Sequence, residues 1–310
     1  MSLVSQLGSM LGLLVAGVAL RSTGVLGAAR RDRLTTLAFY VALPALVFSA
    51  TVSRPPGAIV SGRLLVGVAI VLYGFVALGL VVHRHRPDPA RRAVAVVGSY
   101  HGNMGFLGLP FVATAFGGLA AAKASLVLGI SALIHISTTV VVLTRLTGAE
   151  TQLRAELAEL VRNPVLLALM AGLTGATVGL VVPPTATRLL ETLGALALPI
   201  ALLTVGATFT RDQGLVDSSI VGQVAALKLV AMPLVALGVF MLLEPVASTV
   251  RAAVVMLAMP TAVSTYIYAD ELGGDADLAS ATVVATTAVA LLTLYPVILL
   301  IERVLRAAGL

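Results

Sequence analysis

The chain has 310 residues, 59% of them hydrophobic and 11% charged, with a mean hydropathy of +1.05, whereas soluble globular proteins carry roughly 25% charged residues. This composition excludes a water-soluble enzyme and describes an all-α integral membrane protein. The net charge of +6 in such a chain reports topology, not a nucleic-acid partner, and the absence of cysteine removes disulfides, thiolate metal sites and a cysteine nucleophile.

In chain order, apolar runs bounded by Arg, Pro and Gly fall near residues 3–20, 34–52, 63–82, 92–115, 119–143, 164–182, 189–209, 219–243, 251–269 and 278–301. A spanning helix takes about 20 apolar residues, so these predict ten transmembrane helices. They leave no room in the 310 residues for a fused kinase, nucleotide-binding or DNA-binding domain. The first run lacks a basic leader and a clear cleavage site, and reads as a permanent helix rather than a signal peptide. The longest polar interruption, residues 144–163, carries Glu150, Arg154, Glu156, Glu159 and Arg162 at helix-like spacing. It divides the chain into halves, 1–143 and 164–310, and reads as a cytoplasmic linker.

The halves resemble each other. A shift of 155 residues lays Leu11–Pro44 over Leu166–Pro199 with ten identities, among them Gly17/Gly172, Gly24/Gly179, Arg33/Arg188 and Pro44/Pro199. A repeat of five spans is odd, so the second copy enters the membrane upside down, and inverted repeats are a transporter architecture. With both termini outside, twelve basic residues, from Arg21 to Arg211, fall in inside connections and seven in outside ones, Lys123 among the latter. The positive-inside rule therefore favours both termini outside.

The fourth run contains Ser99-Tyr100-His101-Gly102-Asn103-Met104-Gly105-Phe106-Leu107-Gly108-Leu109-Pro110 at mid-bilayer depth. Glycine disfavours helix and proline removes a backbone donor, so this helix is expected to break. The ninth run carries Met259-Pro260-Thr261-Ala262-Val263-Ser264 at the corresponding place. Interrupted segments at matching positions in two halves point to a transporter's binding site, and half-helix N-termini there attract an anion. Each break also has a packing explanation, since glycine permits close helix approach.

Several side chains stand out around these breaks. Asn103 is one of only two asparagines, and its amide can donate to a carboxylate. Lys228, about ten residues into the eighth run, lies roughly 15 Å deep at 1.5 Å per residue, and no carboxylate lies at that depth in any run. His135, midway along the fifth run, reads either as a proton carrier or as a packing partner of Thr138 or Thr139. Thr286 and Thr287 in the tenth run could coordinate a cation, although such hydroxyls usually bond their own backbone. Metal-ligand clusters, paired intramembrane carboxylates and phosphate loops are missing from the sequence, so no cofactor or metal is expected.

Leu43-Pro44-Ala45-Leu46-Val47-Phe48, the span-four motif from Gly102 to Pro110, Arg162-Asn163-Pro164 and Met259-Pro260 together resemble the auxin efflux carrier family. These are prokaryotic relatives of the plant PIN auxin carriers, within the bile acid/auxin transporter superfamily. The resemblance implies ten helices in two inverted five-helix repeats, with helices 4 and 9 broken and crossing. It implies scaffold helices 1, 2, 6 and 7, transport helices 3–5 and 8–10, and a homodimer in a bacterial cytoplasmic membrane. It also implies that Asn103 faces an anionic substrate. The second crossover has no asparagine, and Pro260 to Ser264 would replace it through backbone amides and hydroxyls.

The resulting expectation is a secondary transporter of small carboxylates or auxin-like acids. It would work by elevator-type alternating access, with proton or sodium coupling. The expected substrate contacts are His101, Gly102, Asn103, Gly105, Pro110, His135, Lys228, Pro260, Thr261 and Ser264, with Thr286 and Thr287 for an ion. An intramembrane hydrolase would require paired aspartates or a Ser/His dyad, and Ser99 and His101, two residues apart, face different sides of a helix. A non-transporting sensor would carry a signalling domain.

Overall fold

The computed structural model describes residues 3–151, 153–208 and 217–310. Phe209, which ends the seventh apolar run, and Arg211, counted among the inside basic residues, lie outside them. Among the described residues the chain is helical throughout, without a strand. In order the helices are α1 (Leu3–Ser22), α2 (Ala28–Leu37), α3 (Leu43–Val52), α4 (Pro56–Ile59), α5 (Gly62–Val82) and α6 (Pro89–Gly98). There follow α7 (Leu109–Phe116), α8 (Gly118–Thr147), α9 (Leu153–Val161), α10 (Pro164–Thr177), α11 (Pro184–Ala195) and α12 (Ala197–Gly206). The last are α13 (Ser218–Ala226), α14 (Met232–Leu243), α15 (Ala247–Leu257), α16 (Ser264–Glu271) and α17 (Ala276–Ala307).

Helix starts follow local chemistry. Asp88, Asn163, Asp217 and Asp275 each accept backbone N–H bonds at the first turns of α6, α10, α13 and α17, satisfying donors that have no partner inside the helix. Pro89 and Pro164 follow two of these caps, where a missing N–H costs nothing. Inside longer helices proline is handled differently. Three wide π turns, Ala38–Ala42, Met104–Gly108 and Leu227–Ala231, come just before Pro44, Pro110 and Pro233, each the second residue of its helix. The extra residue in the turn relieves the clash between a proline ring and the carbonyl four residues earlier.

Among the described residues six helices are long and apolar enough to cross a membrane, and a seventh if α9 and α10, bent by 50°, count as one span. Each of the ten apolar runs contains helix, α1 extending over 20 residues, but Met104–Phe116 and Ala247–Leu257 are each too short to cross alone. The fourth and ninth runs fall short because they are interrupted.

The chain divides into two compact units. One comprises Met1–Ser61, Gly105–Leu126 and Val161–Arg211. In it α1 packs on α12 and α10 on α3. A methyl at Gly17 would meet the Leu203 carbonyl, and one at Gly172 would meet the Thr51 hydroxyl, so glycine is required at both crossings. The other unit comprises Gly62–Met104, Val127–Leu160 and Asp212–Leu310. There α14 packs on α5 and α15, and α17 packs on α6, α13 and α16. Val94, Ala95, Ile220, Val224, Ala269, Leu278 and Ala279 form a core. Arg251 binds Glu302 through two bonds of 2.6 and 2.8 Å, tying α15 to α17.

Candidate functional site

The site is built where two helices stop. α6 ends at Gly98 and α15 at Leu257, and helix resumes only at Met104 and Ser264. The two interruptions pair with each other. Gly102 and Thr261 face across an antiparallel bridge, the Asn103 N–H donates to the Pro260 carbonyl at 2.7 Å, and the Ala262 N–H donates to the His101 carbonyl at 3.0 Å. Bare backbone is tolerable at membrane depth only when the protein satisfies it, and here each break satisfies the other.

Thr261 locks the crossing on two further sides. Its hydroxyl donates to the Gly98 carbonyl at 3.0 Å, and its N–H donates to the Thr286 hydroxyl at 3.2 Å. The Thr286 hydroxyl in turn donates to the Thr282 carbonyl at 2.7 Å, so α17 anchors the crossing.

Lys228 lies in the wide turn before α14 and is completely buried. Its ammonium donates to the Leu257 carbonyl at 2.8 Å and to the Met232 sulfur at 3.2 Å. Leu257 ends α15, where the helix dipole favours a cation. A methyl at Gly102 would lie 3.0 Å from the Lys228 nitrogen, so the missing side chain is what lets the ammonium approach the crossing. Among the described residues no carboxylate pairs with it.

A polar cluster adjoins this cation. His101 is bonded on both ring nitrogens, Nδ1 to the Thr139 hydroxyl at 2.9 Å and Nε2 to the Ser264 hydroxyl at 3.2 Å. The Tyr100 hydroxyl meets the same Thr139 oxygen at 3.0 Å. His135 stacks on His101 with ring centroids 4.3 Å apart. Neither Thr138 nor Thr139 bonds its ring: the Thr138 hydroxyl donates to the Ile134 carbonyl and, at 3.4 Å, to the backbone carbonyl of His135 itself, and Thr139 is taken by Tyr100 and His101.

Of the residues expected from the sequence, His101, Gly102, Asn103, Pro260, Thr261, Ser264, Lys228 and His135 gather here, with Thr286 behind them. Gly105 and Pro110 belong to the other compact unit. Thr287 turns its hydroxyl to the Val283 carbonyl of its own helix at 2.6 Å. Lys123, counted with the outside residues although it falls just inside the fifth run, is buried in α8. The sequence reading missed Tyr100, Thr139 and Met232 as members of the site. A tyrosine beside the break and a threonine four residues after His135 were the available signals.

His101 and Ser264 form a Ser/His pair that sequence spacing could not reveal, while Ser99 pairs instead with His83 at 3.2 Å. As a nucleophile with its base the first pair lacks a third group: the far nitrogen of His101 meets a hydroxyl, not a carboxylate, and a developing imidazolium would face the Lys228 ammonium. The arrangement suits holding an anion better than cleaving a bond.

Comparison with known proteins points to membrane transport. The family described as membrane transport protein matches residues 10–298. A protein named "Putative malonate transporter" in Rhizobium meliloti (strain 1021) is 25% identical over 280 residues, spanning 87% of this chain and 86% of that relative. This chain is therefore a member of the membrane transport protein family, the auxin efflux carrier family whose motifs its sequence resembles.

Proposed function

We propose that this protein is a secondary transporter of small carboxylates, with the anion held at the crossing of the two interrupted helices. The observation that carries the reading is the fully buried Lys228 ammonium beside that crossing, with no carboxylate partner among the described residues. A buried cation costs several kcal/mol unless it is compensated, and a carboxylate ligand supplies the missing charge. Asn103 on one break, and Thr261 and Ser264 on the other, supply polar groups beside it. The name of the relative fits a small dicarboxylate.

In this reading the ten helical segments are ten spans in two inverted repeats, with both termini outside a bacterial cytoplasmic membrane. Alternating access is an elevator-type movement of the transport helices, spans 3–5 and 8–10, against the scaffold helices, spans 1, 2, 6 and 7. The crossing travels with the transport helices. A proton or sodium gradient drives the cycle.

The test is thermal stabilisation of the purified protein by malonate, malate and indole-3-acetate, with and without sodium. A ligand at a hundred times its Kd adds about 2.7 kcal/mol of stability. Lys228→Met removes the charge but keeps the volume, so its Tm is expected to stay level or rise while its response to carboxylates disappears. Asn103→Ala is expected to weaken the response. A well-folded wild type that responds to no carboxylate, or a Lys228→Met variant that responds like wild type, would refute the assignment.

A further inference from the structure

The anion site leaves one buried group unused, the imidazole of His135, only 4% exposed. One of its ring nitrogens is hydrogen-bonded to the backbone of Tyr100. The Tyr100 N–H is spent on the Val97 carbonyl at 3.1 Å, so the group meeting His135 is the Tyr100 carbonyl. A carbonyl only accepts, which puts the hydrogen on that nitrogen and leaves Nε2 of the neutral ring a bare lone pair. Nε2 has no partner in the protein. Native proteins rarely leave such an atom orphaned, and a bound ligand or ion is one explanation when they do.

Its neighbour His101 is saturated, and the chain through it works in two directions. With Tyr100 donating to Thr139 and Thr139 to Nδ1, His101 donates from Nε2 to Ser264. With Ser264 donating to Nε2, His101 donates from Nδ1 to Thr139, and Thr139 to Tyr100. Both polarities satisfy every bond across the 3.0, 2.9 and 3.2 Å contacts. His101 can therefore change tautomer beside His135 at no cost in lost bonds.

The geometry points to Nε2 of His135 as the atom that binds a proton together with the carboxylate, so that anion and proton are carried as a pair. Lys228 lies within electrostatic range of both rings, and an imidazolium beside an uncompensated ammonium is repelled. A carboxylate on Lys228 cancels that repulsion and attracts the second positive charge. Proton and anion then raise each other's affinity by the same factor, as linkage requires. The proton comes from the aqueous side to which the site is open, forms an N–H bond at Nε2 and returns to water when the anion leaves. Each cycle carries one positive charge with the anion.

The other titratable groups facing the pair are Tyr100 on the same break, Lys228 before α14, and Tyr268 on α16, whose ring lies 6.3 Å from that of His101. Glu156, Glu159 and Glu271 act on Tyr268 behind it.

This inference rests on the crossing being the anion site, and titration calorimetry with malonate separates the two. Run at mildly alkaline pH in buffers of different ionisation enthalpy, the wild type is expected to take up one proton per malonate bound. Its Kd is expected to rise about tenfold per pH unit. His135→Gln is expected to bind more weakly, without proton uptake and without that pH dependence. No malonate binding by the wild type refutes the anion site, and the coupling falls with it. Binding without proton uptake overturns the coupling alone. Uptake that persists in His135→Gln places the proton elsewhere, on the ligand included, and also overturns it. If the glutamine variant does not fold, the wild type decides, a pH-independent Kd being the overturning result.

Discussion

His83, at the end of α5, shows how a buried imidazole is held in one protonation state by its neighbours. The Ser99 hydroxyl donates to the Ala95 carbonyl at 2.8 Å, so it accepts from His83 Nε2, and Nδ1 is left to accept from the Arg86 guanidinium at 3.5 Å. Burial and then the Arg86 charge hold the ring well below the usual 6.5, at about 4. A base with a lowered value stabilises the fold fully above 6.5 and loses that contribution as pH falls from there toward 4. Tm is expected to decline over this window, and His83→Gln is expected to flatten the decline. An equally steep slope in the variant would assign it to other groups. Single residues differed in how far the sequence revealed them. Lys228 was legible because a lone deep lysine without a carboxylate at its depth is conspicuous. The His101–Ser264 bond was not, because its partners are 163 residues apart and only the crossing brings them together.

Among elements, the interruptions were legible because glycine and proline act locally. The three wide turns before Pro44, Pro110 and Pro233 were not, since the same dipeptides could equally have kinked their helices. Gly17 and Gly172, paired by the sequence repeat, turn out to do equivalent work: each lets one helix come into close contact with another, α1 with α12 and α10 with α3. Gly172→Ala would press a methyl onto the Thr51 hydroxyl and is expected to cost about 1–3 kcal/mol, as overpacking does. Trimming the obstacle in a Thr51→Ala/Gly172→Ala double variant is expected to recover part of the lost Tm. Additive losses in the double variant would show that the contact is not the cause.

Over the whole molecule, composition alone gave the membrane setting, because a chain this apolar has no other solvent to fold in. The grouping of residues into two compact units was not legible in the charge or hydropathy pattern, since it depends on which helices pack together. Orientation is the molecular property most directly open to measurement, and the absence of native cysteine makes single-cysteine labelling clean. In intact cells, Leu310→Cys is expected to react with a membrane-impermeant maleimide and Ala149→Cys to react only after permeabilisation. The reverse pattern would invert the topology proposed from the basic residues.

The crossing itself is joined by main-chain bonds, Asn103 to Pro260 and Ala262 to His101. These bonds ask nothing of the side chains at positions 103 and 262, whereas Thr261, whose hydroxyl bonds the Gly98 carbonyl, and Gly102, which leaves room for Lys228, belong to the frame. Descendants of such a protein can change cargo by ordinary substitution around a fixed frame. An engineer seeking a different acid would vary those side chains and leave the frame alone.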